Sequence, residues 1–329
     1  MTAVTARKKL VDATQLQQQI PKAHEPTFDI DASADCVPVN GLASIGRSHE
    51  GCTVIGSGES AMDAVAWLLG HGVAPDAIRW IRPQDCWVFN RGMTQPLEGL
   101  PQMLSSQAAT MRAAADATDV VDASRRLEAS GVLMRIDAAV EPTMWRWAIL
   151  REAEIERLRL VEDVVRLGNV QRLAGDAVTL DGGTVPVVRR EFFVDCTSDW
   201  SYLNMDLTIV EGDRIDLQPV RTCQPCFNSA LVAFLECNRD DDAEKNRLRP
   251  ANPYPLTTTD WMRGLVASNR NLIDWNAEPD LPSWIERTRL NISRGLVDRE
   301  GEPAVAATLP EMVQLLGPST QNLGRLLTA

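Results

Sequence analysis

The segment 52–69, CTVIGSGESAMDAVAWLL, constrains the fold more than any other stretch of this chain. It opens with an apolar run suited to a buried strand, turns at two glycines, and continues with apolar residues at helical spacing. The glycine-flanked GHG at 70–72 offers a C-cap, and a second strand, AIRWIRP at 77–83, is stopped by Pro83. Strand, helix and strand within about 30 residues is the length of one βαβ unit. Such a unit requires a parallel sheet, and the expected class is α/β.

The turn itself, G-x-G-x-x-A from Gly56 to Ala61, carries chemistry in the required context of a strand before it and a helix after it. Gly56 adopts the dihedrals of a tight turn. Gly58 removes a Cβ where a pyrophosphate approaches the backbone, and Ala61 lets the helix pack close to the strand. Ser57 and Ser60 add hydroxyl donors to the positive end of the helix. The pattern therefore predicts a dinucleotide site, the alternative being a plain strand-to-helix turn. Glu59, inside the turn, counts against tight phosphate binding unless it points away. At the end of the second strand an acidic residue would select NAD by accepting from the ribose 2′-hydroxyl, but this chain has Arg82. A guanidinium there favours NADP(H) over NAD(H); the other reading of Arg82 is a surface residue paired with Asp85.

Elsewhere the pattern is plainer. Residues 4–13 read as a strand, and the proline- and acid-rich 21–41 as an extended linker. From 97 to 160 the spacing predicts helices, the clearest over EPTMWRWAILREAEIERLRLVEDVV at 141–165. Residues 164–188 read as a small β-meander with turns at AGD and DGG, and EFFVDCT at 191–197 as a buried strand. The remainder is expected to be mostly helical, with RDDDAEK at 239–245 a solvated surface. The expected division is a strand and linker over 1–50, a nucleotide-binding domain over 51–200, and a helical C-terminal region over 201–329.

The net charge of −12 argues against nucleic acid or an anionic membrane as a partner. No apolar run approaches the roughly 20 residues of a membrane span, and none resembles a signal peptide, so a cytoplasmic protein is expected. Seven cysteines form no regular framework, and three histidines lie far apart, so no metal site is predicted. Cys223 and Cys226, in CQPC, allow a thiol–disulfide reading, with incidental cysteines the alternative. Asn90 and Arg91, after the second strand, sit where a loop reaches a cofactor; a solvated loop is the plainer reading.

TVIGSGESAMDAVAWLLGHG, IRWIRP and FFVDCTSDW together resemble the NAD(P)-binding half of flavoprotein oxidoreductases with two dinucleotide-binding domains. The flavin-containing monooxygenase-like and pyridine nucleotide-disulfide oxidoreductase-like proteins are of this kind. In them a V-D-x-T segment closes a strand near the crossing between domains, and this chain has it twice, at 11–14 and 194–197. RIDLQPVRTCQPCFNSALVAFLE resembles the strand and helix that complete the flavin domain. The resemblance implies a Rossmann-like fold and transfer of hydride from NADPH to FAD in the intact enzyme. It departs from the family in one respect: no second glycine fingerprint for FAD precedes residue 51. A segment of about 100–150 residues is therefore expected to be missing: the chain is a fragment of a longer flavoenzyme, or half of a split enzyme completed by a second subunit or a second copy of this chain. The reading from another class is a non-catalytic protein that keeps the scaffold as a nucleotide sensor, subunit or interaction module.

Overall fold

A computed structural model describes the chain except residues 1–7, 15, 19–20, 24, 45–48, 198–199, 203–207, 222–223, 253 and 329. It is α/β and divides into two units. One comprises Gln18–Arg91 and Leu133–Trp200; the other comprises Met1–Gln17, Gly92–Val132 and Ser201–Ala329. Among the described residues no helix is long and apolar enough to cross a membrane.

The first of these units is built on a five-stranded parallel sheet. In chain order its elements are β1 (Asp29–Ile30), β2 (Asp35–Pro38), β3 (Gly51–Ile55), α1 (Glu59–Gly70), β4 (Ile78–Ile81), β5 (Cys86–Asn90), β6 (Leu133–Met134) and β7 (Met144–Leu150). They continue with α2 (Glu152–Leu158), β8 (Asp163–Val165), β9 (Val170–Leu173), β10 (Ala177–Leu180), β11 (Gly183–Pro186) and β12 (Glu191–Asp195). The sheet runs in the order β8-β4-β3-β12-β2. One row of paired residues, Val164, Trp80, Val54, Val194 and Val37, crosses all five strands.

Both faces of this sheet are covered, as a parallel sheet requires. Alternation along each strand sorts the side chains. Val54, Trp80, Phe192 and Val194 pack with Ala61, Val65 and Leu68 of α1. Ile55, Ile81 and Phe193 face the other way, into a core with Phe28, Val170, Leu173 and Val178. That second layer is the predicted meander, β9-β10-β11 antiparallel, extended by β1 in parallel with β9. The expected βαβ unit and the buried strand at 191–195 are also present.

Three expectations are corrected. The stretch read as linker includes β2, an edge strand hydrogen-bonded to β12; its Pro38 is tolerated at an edge. Residues 144–150 are a strand paired in parallel with β5, not helix. MWRWAIL is dense in aromatic and branched residues, and a short apolar run does not distinguish the two periods. Helix begins only at Glu152, where the Glu154 carboxylate accepts the Arg151 N–H at 2.7 Å. The third correction concerns RDDDAEK, which is solvated only at its centre. Arg239 donates to Asp280 at 2.6 Å, and Lys245, 4% exposed, pairs with Asp242 at 3.0 Å and Glu236 at 3.1 Å.

Strand β7 is irregular. Between the rungs Trp87–Trp145 and Phe89–Ile149 it carries two more residues than β5, and there Trp147 adopts a φ of 55°. Its ring stacks on Phe89 at 5.3 Å.

In the second unit the helix Leu100–Asp116 packs along the helix Pro303–Leu326. The Asn322 amide donates to the carbonyls of Ala114 and Ala117 at 3.0 and 2.9 Å, capping the first helix's C-terminus. A small sheet joins Leu10–Asp12 in parallel to Arg214–Asp216, itself in a hairpin with Val210–Glu211. Phe227, Leu231 and Trp275 form the core beside that hairpin.

Phe193 is 1% exposed at the centre of the sheet. Phe193→Ala should destabilise the protein by about 3–5 kcal/mol, read as a lowered denaturant midpoint at unchanged m-value.

Candidate functional site

A cleft of about 530 Å³ opens at the carboxyl ends of β3, β4 and β12. Its wall includes Gly56, Ser57, Gly58 and Ser60 of the turn, Pro83 and Gln84 beyond β4, and Cys196 and Thr197 beyond β12. Here the strand order turns back: α1 leads from β3 to β4 on one side, whereas β12 returns to pair with β3 on the other. Ligands of open α/β sheets bind at such a point.

The two glycines do different work. Gly56 has a φ of +137°, its N–H donates to Ile81 O at 3.0 Å, and its carbonyl accepts the Trp80 indole N–H at 2.8 Å. A Cβ there would lie 3.2 Å from the Cys196 carbonyl oxygen. Gly56 is therefore required by the backbone and by the close approach of β12. Gly58 has an ordinary φ of −88°, and a Cβ added to it would meet nothing within 4 Å. The space above Gly58 opens to the cleft.

No side chain caps α1 at Gly58. Ala61 and Met62 donate to the Gly58 carbonyl at 3.1 and 3.2 Å, and the N–H groups of Glu59 and Ser60 ahead of them lie at the positive dipole end. Ser57 accepts the Gln84 N–H at 3.3 Å, and its carbonyl accepts the Cys86 thiol at 3.4 Å, tying the turn to the chain beyond β4. Ala61 is fully buried against the sheet. The turn thus offers phosphate-sized space, backbone donors and two hydroxyls.

Arg82 is 2% exposed and ion-paired with Asp85 at 2.9 Å, with its guanidinium 4.8 Å from the centre of the Trp80 ring. It is not among the residues lining the cleft. Asp85 also accepts from Arg166 at 2.8 Å, which in turn donates to Asp137 at 2.8 Å. Burial lowers the Arg82 pKa, and Asp85 opposes that. Asn90 and Arg91 are engaged within their own unit, donating to Glu152 and to the Ile149 carbonyl.

Thr197 donates both its N–H and its hydroxyl to Asp195, at 2.8 and 2.6 Å. The other V-D-x-T segment folds identically, with Thr14 on Asp12 at 2.9 and 2.7 Å. Ser33 on Asp31 repeats the turn, so it serves strand ends generally. Burial pushes the Cys36 and Cys86 thiols up to about 12, and raises Cys52 and Cys196 strongly, so these cysteines are unreactive packing residues. Cys226 is exposed, while Cys223 lies outside the described residues. Among the described residues no group of His, Cys, Asp and Glu is arranged to hold a metal ion.

Sequence reasoning missed Thr27, Met144, Arg146 and Asn169, all on the cleft wall. Met144 and Arg146 alternate along β7, a strand read as helix.

No family model matches the chain. It is 36% identical over 329 residues to an uncharacterized protein of Mycobacterium bovis and to uncharacterized proteins of two strains of Mycobacterium tuberculosis. The match covers 99% of this chain and 61% of each relative, so the chain spans about three fifths of their length.

Gly56→Ala should cost about 1–3 kcal/mol of stability through strain and contact with β12. Gly58→Ala should leave stability within about 0.5 kcal/mol while filling the space at the helix start. Thermal melts of the two variants check the contrast. Glu59 supplies a pH-dependent prediction. Its carboxyl pKa is raised by partial burial first and then by Asp63 and Glu154, against the Ile149 N–H and Arg91. The folded state therefore holds this proton more tightly than the unfolded chain, and stability falls as pH rises from the ordinary carboxylate value through the raised one. Glu59→Gln should raise the melting temperature at pH 7, the gain vanishing below about pH 4.

Proposed function

We propose that the unit bearing the cleft is a Rossmann-like dinucleotide-binding module that takes NADP(H) in preference to NAD(H). We further propose that it works within an FAD-dependent oxidoreductase of the monooxygenase-like kind. The observation that carries the reading is the position of the glycine turn. Taking β3, β4, β8 and β12 as first to fourth, the sheet order is 3-2-1-4, and G-x-G-x-x-A ends the first strand at the point where that order reverses. Pyrophosphate fits the open space at Gly58 and the N–H groups that begin α1. Ser57 and Ser60 supply hydroxyls to the same phosphates.

The bound nucleotide supplies a hydride, and the chain's part is to hold it. Gly56 lets β3 turn against β12, the Trp80–Gly56 hydrogen bond fixes that turn, and the Asp195–Thr197 turn sets the opposite lip. Orientation of this kind is how a protein contributes to cofactor chemistry. Ser57, Gly58, Ser60 and the start of α1 would hold the dinucleotide at its phosphates, and the cofactor would supply a hydride to an acceptor. In this reading the acceptor is a flavin, held by chain outside this module, by a second subunit or by a second copy.

The test is calorimetric titration of purified protein with NADPH and NADH, together with its visible absorbance spectrum. The expected outcome is NADPH binding at least about tenfold tighter than NADH, a difference of about 1.4 kcal/mol. A flavin band beside that preference supports the oxidoreductase reading. Binding of NADPH without oxidation when FAD is supplied favours a nucleotide sensor or subunit instead. Binding of neither dinucleotide overturns the proposal.

A further inference from the structure

This inference rests on the dinucleotide reading and concerns the residue that would make it selective. Arg82 stands at the strand end where a cation is looked for, but its charge is already met. With Asp85, Arg166 and Asp137 it forms a set of two cations and two carboxylates.

Arg146 is placed otherwise. It lines the cleft, is half-buried, and makes no hydrogen bond or ion pair with the described residues. A guanidinium drawn partly out of water without a counter-charge is costly, and an arriving anion removes that cost. Besides Glu59 it is the one ionisable side chain of Asp, Glu, Lys, Arg or His type on the cleft wall among the described residues.

The backbone at this point is also unusual. Arg146 lies in the two-residue expansion of β7, beside Trp147 with its φ of 55°. Bulges re-aim side chains next to binding sites, and a non-glycine residue at such a φ persists only where its surroundings hold it. Phe89 and Trp145 do so, with ring centres 5.3 and 5.7 Å from that of Trp147.

The side of the cleft follows from the neighbours. The pyrophosphate belongs at the start of α1, and the adenosine ribose beside the end of β4. Cys86, just past that end, bonds the Ser57 carbonyl at 3.4 Å, and the Arg146 charge acts on its thiol. We propose that Arg146, projected from the strained bulge of β7, is the cation that reads the ribose 2′-phosphate of NADP(H), in place of the internally neutralised Arg82.

The experiment compares wild type, Arg146→Ala and Arg146→Gln by calorimetry with NADPH and with NADH, after circular dichroism has established that each is folded. The glutamine variant keeps most of the side chain's bulk should the alanine variant fail to fold. NADPH affinity should fall on the order of 10–100-fold, with NADH affinity changing less than about threefold. Equal losses for both dinucleotides would assign Arg146 to the pyrophosphate and overturn the proposal, as would unchanged NADPH affinity. In both cases wild-type binding leaves the dinucleotide reading standing. If wild type itself binds neither, that reading fails and this one with it.

Discussion

The approach of two strand ends sets the geometry of the cleft-bearing unit. At Gly56 the chain leaves β3 so close to the Cys196 carbonyl that a methyl group would have to displace backbone. With its φ of +137°, a side chain at Gly56 would be turned into that carbonyl, so glycine is required there. Directly beyond this contact the chain turns into α1, and the cleft opens above the strand ends. The Trp80 indole, hydrogen-bonded to the Gly56 carbonyl, satisfies that acceptor within the core.

The cleft divides charge unequally. Beyond β4, two arginines and two aspartates neutralise one another, which stiffens the chain there without offering charge to a ligand. On the wall itself stand Glu59, its proton held more tightly than usual, and Arg146, which makes no hydrogen bond or ion pair with the described residues. In the dinucleotide reading proposed above, such an arrangement trades stability for readiness to take an anion.

Legibility in the sequence followed locality. The βαβ unit, the meander and the buried strand at 191–195 were readable because spacing and turn residues within a dozen positions decide them. The glycine turn was readable for the same reason. MWRWAIL was not, because its choice between helix and strand is made by pairing with residues 86–90, far away along the chain. Losing that strand meant losing Arg146, since nothing local marks a bulge in an unrecognised strand. Arg82 was seen but its environment was not: its proximity to Asp85 was legible, its burial against Trp80 was not. Lys245 of the acidic run illustrates the same limit, being covered by contacts the run itself does not contain.

The helix pair of the other unit bears on how the chain comes to be folded. Leu100–Asp116 closes against Pro303–Leu326, so nearly 190 residues separate the end of one from the start of the other. During synthesis the first helix emerges long before its partner, and its apolar face, Met103 and Leu104 among it, has to wait. Every residue of the cleft-bearing unit, by contrast, has been made by position 200. That unit can mature first, while the unit that holds this helix pair closes later.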